Sequence, residues 1–284
     1  MQPLIFSHAN SFPAGTYRLL FALLRERGFD VHALDRFGHD ARYPVTSNWP
    51  HLRDQLLQFI EAESPGRPVH LVGHSLGGYL SLLAACRKPA LAASLLMIDS
   101  PVLTGWKAHS VQVMKAARLI HKVSPARVSV KRRWQWPSAE AAHAHFAGKH
   151  NFARWAPEVL RDYIQCGMEP DPDAAAPGGV RLAFRREIET KIYNTLPHHM
   201  GRVLHRHPPR CPVAFLAGTQ SVEVGCETEH VGARSGGGDL PFKLGRKPEI
   251  VMVQQSNPIA PCCKDTAITR NTNTLVRLSN DSAA

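Results

Sequence analysis

Residues Val69 to Ala85 read VHLVGHSLGGYLSLLAA, and this stretch decides the fold. A short apolar run, Val69 to Val72, opens it. Gly73-His74-Ser75-Leu76-Gly77 follows, then Gly78 and a helical pattern of small and apolar residues. This is G-x-S-x-G between a strand and a helix, the context that gives the motif meaning. A serine on so tight a turn is held in strained backbone geometry. Side chains at its neighbours two away would collide with the strand and the helix. Such a turn points the Ser75 hydroxyl out over the sheet edge. It also sets the Leu76 amide at a helix start, where a developing oxyanion is stabilised. The plainer alternative is a glycine-rich strand-to-helix turn with an idle serine.

The flanking sequence repeats the same rhythm. Pro3 to Phe6 predicts a strand running into His8-Ala9-Asn10-Ser11-Phe12-Pro13. Leu19, Leu20, Leu23 and Leu24 share a helix face, and Gly28 stops that helix. Phe29 to Leu34 predicts a second strand, and Leu52 to Ile60 an amphipathic helix closed by Ser64-Pro65-Gly66. After the serine turn, Ala93 to Ile98 predicts a fourth strand, ending at Asp99. Strands alternating with helices argue for a parallel sheet with right-handed crossovers. In such sheets reactive groups lie just past the carboxyl ends of the strands. Ser75, Asp99 and the loop from His8 all fall there.

Beyond Pro101 the rhythm changes. Residues 101–209 show no strand pattern, only helix-like segments rich in Ala, Arg, His and Trp, so they predict an inserted helical cap. Cys211 to Gly218 returns to a buried strand. Residues 1–100 and 210–270 then form one discontinuous core. Val222 to Gly245 is loaded with glycine where a helix would be due, and Glu249 to Val253 is a candidate last strand. Residues 271–284 are polar and predict a disordered tail.

Composition narrows the class. The chain has 284 residues, enough for one large domain with an insertion or two small ones. No apolar run reaches the roughly 18 residues of a membrane span. With no leader pattern at the start, a cytoplasmic protein is expected. The six cysteines lack C-x-x-C spacing and suggest free thiols. The net charge of +11 is clustered, but no nucleic-acid-binding module accompanies it. Lys131 to Trp136 (KRRWQW) mixes basic and aromatic residues and reads as an exposed basic face with partly buried tryptophans. Histidines cluster at 143, 145 and 150 and at 198, 199, 205 and 207, without a ligand pattern such as H-E-x-x-H, so no metal site is expected.

The serine turn, the histidine-led loop, the acid after a strand and the inserted segment together resemble the α/β-hydrolase superfamily. Within it, the chain looks like small bacterial serine hydrolases with a helical cap. The likeness covers Pro3 to about Ser221 and is specific at His8-Ala9-Asn10, Gly73 to Gly77 and Asp99. It implies an α/β fold, with a mostly parallel sheet flanked by helices. The chain starts at the strand before the oxyanion loop, so the family's first two edge strands are not expected. The resemblance also implies roles. Ser75 matches the nucleophile, and the Leu76 amide one oxyanion donor. Asn10 supplies the second amide, while His8 braces the loop. Asp99 matches the acid that follows a strand, because Ser221 holds the other usual acid position; Glu223 is a weaker alternative.

The family's histidine follows the last strand. Here Gln254-Gln255-Ser256-Asn257-Pro258 stands there, and an amide cannot act as a base. The only histidine after Gly218 is His230, which comes too soon for a helix and a strand to intervene; a loop rearrangement would bring it to Ser75, and it is the candidate base. Two explanations fit this C-terminal part: divergence, or a shifted reading frame after about Ser221.

The activity implied is hydrolysis of a carboxylic ester or similar acyl substrate through an acyl-serine, on a small-molecule substrate and with no cofactor. An aspartate would stand at position 75 in epoxide- or halide-cleaving relatives. The alternative is a catalytically inactive member that binds a small ligand or partner. Trp106, Trp134, Trp136 and Trp155 suit either an acyl pocket or packing within the cap. No nucleic-acid or membrane partner is expected, and the sequence leaves the oligomeric state open.

Overall fold

The computed structural model describes residues 1–103, 105–117, 119–120, 125–218 and 252–255. Its centre is a six-stranded sheet. The strands are β1 (Gln2–Ser7), β2 (Phe29–Ala33), β3 (Val69–His74), β4 (Ala92–Ile98), β8 (Val213–Gly218) and β9 (Met252–Gln255), in the order β2-β1-β3-β4-β8-β9. Every neighbouring pair is parallel. A parallel pair cannot be closed by a tight turn, so helices make the crossovers. These are α1 (Arg18–Glu26) after β1, α2 (Pro50–Glu63) after β2 and α3 (Leu76–Arg87) after β3.

Strand alternation divides the core into two layers. Ile5, Leu71, Leu95 and Met97 face α2 and α3, packing on Leu52, Leu56, Ile60, Leu80 and Leu83. Leu4, Phe6, Val72 and Ile98 face the other way, onto Tyr17 and Phe21 of the α1 side. Because both faces are covered, the inner strands read as near-continuous apolar runs, whereas the edge strand β2, Phe29-Asp30-Val31-His32-Ala33, alternates. This explains why Val69 to Val72 signalled a strand as a short apolar run rather than by alternation.

The chain leaves β1 for β2 on one side and returns to β3 on the other. The order therefore reverses between β1 and β3, and a crevice opens beyond their carboxyl ends. Ser7 pairs in register with Gly73, and His74 with Ile98. The loop after β1, the serine turn after β3 and Asp99 after β4 consequently leave the sheet along one edge.

Between β4 and β8 come α4 (Gly105–Ala116), α5 (Ala126–Ser129), β5 (Gln135–Trp136), α6 (Ala139–Ala147), α7 (Pro157–Gly167), β6 (Met168–Pro170), β7 (Val180–Leu182), α8 (Arg186–Asn194) and α9 (Met200–Arg206). The sequence predicts no strand here, and the structure corrects that. A small antiparallel sheet, ordered β5-β7-β6, runs through the segment. Its strands are only two or three residues long, too short to leave a period-two pattern. It packs with α6 and α7 around Trp136, Phe146, Leu160, Tyr163 and Leu182, a hydrophobic cluster separate from those of the main sheet.

The tryptophans divide between packing and surface. Trp136 and Trp155 belong to this aromatic cluster, where Phe12 of the β1 loop also inserts. Trp106 is 74% exposed. The basic-aromatic run is partly internal as well. Arg132 is turned inward, and Arg133 stacks on Trp136 at 5.5 Å. The glycine-rich stretch from Val222 to Gly245, His230, Glu223 and the tail from Asn271 lie outside the described residues.

Candidate active site

The turn after β3 is shaped by what will not fit. A Cβ on Gly73 would meet the Gly77 carbonyl and Gly78 nitrogen at 2.4 Å. A Cβ on Gly77 would lie 1.9 Å from the Ser7 carbonyl oxygen, and one on Gly78 2.0 Å from Ser100 Oγ. Real Cβ atoms do not approach backbone so closely, so β3, α3 and β1 close on one another only because these positions are glycine. Between them Ser75 takes φ 50° and ψ −112°. For a residue with a side chain this is a sparsely populated region costing about 1–3 kcal/mol, held only by over-determining surroundings. One restraint is visible: the Ser75 N–H donates to Ile98 O at 2.9 Å.

Leu76 is the first residue of the 12-residue helix α3 and is buried. Its N–H has no intrahelical acceptor, and the helix dipole adds partial positive charge there. The N–H of Asn10 likewise has no hydrogen-bond acceptor among the described residues. Asn10 itself is buried, with its Nδ2 donating to Glu189 O at 3.2 Å and its Oδ1 unpartnered among the described residues. Ser11, next in the loop, has φ 68°.

His8 is fully enclosed. Phe37 N–H donates to its Nε2 at 2.9 Å, so Nδ1 carries the proton and donates to Ala9 O at 2.8 Å. Burial pushes its pKa down to about 4. A neutral ring with both nitrogens engaged is a brace for the loop, the role expected of it.

A second imidazole braces the same region from the other side. Tyr17 OH accepts from Ala9 N–H at 3.2 Å and lies 2.8 Å from His74 Nδ1. Desolvation lowers His74 to about 4 against the opposing pull of Asp99, although the ring keeps some surface exposed. Desolvation also raises the Tyr17 hydroxyl well above its usual range. The tyrosine is therefore a neutral donor that ties the β1 loop to the serine turn.

Asp99 follows β4 with φ 43°, its N–H donating to Leu216 O at 2.7 Å. Its Oδ1 is buried and has no hydrogen-bond partner among the described residues. A buried carboxylate oxygen without a donor costs about 1–3 kcal/mol or more, so its acceptor capacity is unspent at a strand end beside the serine turn.

Six site residues were expected from sequence. Ser75, Leu76, Asp99, Asn10 and His8 stand along the same sheet edge, and His230 lies outside the described residues. What the sequence did not reveal is the support from the distant segment 183–189. Phe184 packs edge-on against His8 at 5.9 Å, and Arg36 donates to Ala183 O at 2.7 Å. Glu189 O holds Asn10, while the Glu189 carboxylate pairs with Arg132 at 3.0 Å. Arg132 in turn donates to Tyr163 OH at 2.6 Å. These contacts join residues up to 179 positions apart, and no local pattern announces them. Among the described residues no group of His, Cys, Asp or Glu could hold a metal ion.

A parallel sheet whose strand ends carry a glycine-flanked serine, free amides and an acid defines a class. The family model described as the alpha/beta hydrolase family matches residues 4–241, and the chain belongs to that family. Among curated proteins it is similar to the monoglyceride lipases of Rattus norvegicus, 32% identical over 129 residues, and Homo sapiens, 30% identical over 129 residues. Each match spans 43% of this chain and 43% of the relative, less than half of either. Among solved structures it resembles E-2-(acetamidomethylene)succinate hydrolase, with a TM-score of 0.61 and 19% identity, covering 90% of this chain and 84% of that one. The fold expected from sequence, a mostly parallel sheet flanked by helices, is the fold observed, and the hydrolase class expected is the one the family carries.

Proposed function

We propose that the protein is a serine hydrolase that cleaves a carboxylic ester or a similar acyl substrate through an acyl-serine intermediate. The observation that carries this reading is Ser75 at φ 50°, fixed at a turn whose neighbours leave no room for a Cβ. Strain of this kind at a strand end presents a nucleophile, and a structural serine has no need of it. The similarity to monoglyceride lipases points the same way, toward esters of small alcohols.

In this reading Ser75 Oγ attacks the acyl carbonyl carbon while an imidazole takes its proton. The carbonyl oxygen becomes an oxyanion between the N–H groups of Leu76 and Asn10. The C–O bond then breaks, and the departing alcohol takes the proton from the imidazole. Water, activated by the same base, releases the acid. Asp99 orients the imidazole through its unspent Oδ1. His230 is the candidate base. No cofactor is required, and the segment 101–209 serves as a cap over the substrate. Free thiols at Cys86, Cys166 and Cys211 fit a reducing, cytoplasmic setting.

One observation favours the second reading, an inactive member that binds a small ligand. In the sequence Gln254 to Pro258 stands where the family's histidine follows the last strand. A short-chain nitrophenyl ester assay separates the two. The first reading expects turnover that falls by roughly 10⁶ in Ser75→Ala, and labelling of Ser75 by a fluorophosphonate. Folded protein that neither turns over nor labels belongs to the second.

A further inference from the structure

A cavity of about 380 Å³ lies in the segment between β4 and β8, lined by Trp134, Arg181, Leu182, Arg185, Arg186 and Glu187. It holds three guanidinium groups against one carboxylate, and none of the residues assigned to the reaction lines it. The guanidiniums are arranged rather than loose. Arg186 lies over the Trp134 ring, with Cζ 5.2 Å from its centroid, and its Nε donates to Glu187 Oε1 at 2.9 Å. Arg181 Nε donates to Glu169 Oε1 at 2.9 Å, and Glu169 is shared with Arg36. Trp134 is fixed in turn, its carbonyl accepting the Leu182 N–H at 2.9 Å. The Arg185 N–H donates to His39 Nε2 at 3.0 Å, and its guanidinium makes no close ion pair among the described residues, although, against desolvation, its charge helps the Arg186 hydrogen bond hold the Glu187 carboxyl below the usual value.

Each of the two anchored guanidiniums is bound at Nε, which leaves its terminal nitrogens available to an acceptor. Stacking on an indole keeps the planar fork in one orientation, so less rotamer freedom is lost when it binds. Such forks match the oxygens of phosphate and carboxylate groups. The volume lies within the range of small-molecule sites and exceeds what a bare oxyanion needs. We propose that this cavity is a binding site for a small organic anion, a phosphate monoester, held by Arg181, Arg185 and Arg186 with its organic part against Trp134.

The site borders the active edge. Phe184 packs on His8, and the Arg185 N–H holds His39, which itself packs edge-on against Phe184 at 4.5 Å. An anion at Arg185 and Arg186 therefore bears on the same short run of chain that supports the loop after β1.

Titration calorimetry on the full chain tests the site without relying on turnover. The probes are glycerol phosphate, inorganic phosphate, and vesicles of phosphatidic acid with phosphatidylcholine vesicles as control. Saturable binding of glycerol phosphate is expected, weaker for inorganic phosphate and weakened by salt. Arg185→Gln and Arg186→Gln should each weaken it by about tenfold, the loss of one charge-assisted hydrogen bond. Arg185 is exposed, so its variant keeps the fold, and an unchanged unfolding midpoint checks this. Binding of phosphatidic acid vesicles alone, lost in the same variants, assigns the phosphate to a lipid headgroup. Absence of saturable binding by all probes overturns the proposal, as does binding that both variants retain at full strength.

Discussion

The hydroxyl of Tyr17 stands 2.8 Å from Nδ1 of His74 and takes the Ala9 N–H at 3.2 Å. One oxygen thus couples the loop that carries Asn10 to the strand end that carries Ser75. Tyr17→Phe keeps the ring packing against Phe6 and Phe21 and removes only this oxygen. It leaves Ala9 N–H and His74 Nδ1 without their partner. A loss of about 1–3 kcal/mol in urea unfolding is expected, with ester turnover lowered through the loosened loop. An unchanged midpoint would show that water replaces the hydroxyl at no cost.

Gly77 tests the close approach between α3 and β1. In Gly77→Ala the new methyl group meets the Ser7 carbonyl at 1.9 Å, so backbone must move. Overpacking of this kind costs about 1–3 kcal/mol and sometimes more. Thermal unfolding of the variant should fall well below wild type, whereas Gly201→Ala, where a Cβ meets nothing within 4 Å, should not fall.

Ser75→Gly separates strain from chemistry. Glycine accepts φ 50° without penalty, so the variant should gain up to about 1 kcal/mol in stability while losing fluorophosphonate labelling. The gain is offset by the greater freedom of glycine in the unfolded chain. A variant clearly less stable than Ser75→Ala would argue that the serine side chain is part of the packing.

Arg132 and Glu189 form a pair with side chains 18% and 7% exposed. Arg132→Met leaves the Glu189 carboxylate buried and unpaired, which costs about 3–5 kcal/mol. The double variant Arg132→Met, Glu189→Gln should recover part of this, because the orphaned charge is gone. Denaturant titration of the single and double variants measures the difference. Equal midpoints for the two would sink the idea that the pair is desolvated.

Stability should depend on pH through the two buried imidazoles. His8 and His74 are held near pKa 4, below the ordinary value of 6.5, so the native state keeps them neutral where the unfolded chain binds protons. The unfolded state then takes up more protons between pH 6.5 and 4, and stability falls as pH is lowered through that window. Each imidazole contributes on the order of 1 kcal/mol per pH unit at most, the fully enclosed His8 more than His74. Urea midpoints should rise from pH 4.5 to about 7 and level off above. A flat profile across that range would falsify the assignment of both rings as buried and neutral.

Much of the core was legible because its causes are local. A parallel strand buried on both faces must be apolar along its length, so Val69–Val72 and Ala93–Ile98 announced themselves. The glycines at 73, 77 and 78 were readable because a tight strand-to-helix turn has few chemical solutions. The short strands β5, β6 and β7 were not readable. Two or three residues such as Gln135–Trp136 become a strand only when a distant strand, here β7, supplies the ladder.

The sequence by itself determined the α/β architecture and set Ser75, Leu76 and Asp99 at strand ends, because strand length, helix periodicity and turn chemistry act over a few residues. The tertiary structure alone decided how that edge is held. Tyr17 meets His74, Phe184 meets His8 and Glu189 meets both Asn10 and Arg132 across long stretches of chain. Hydrogen-bond geometry and desolvation depend on which groups arrive together in space, and nothing in the spacing of residues along the chain specifies that.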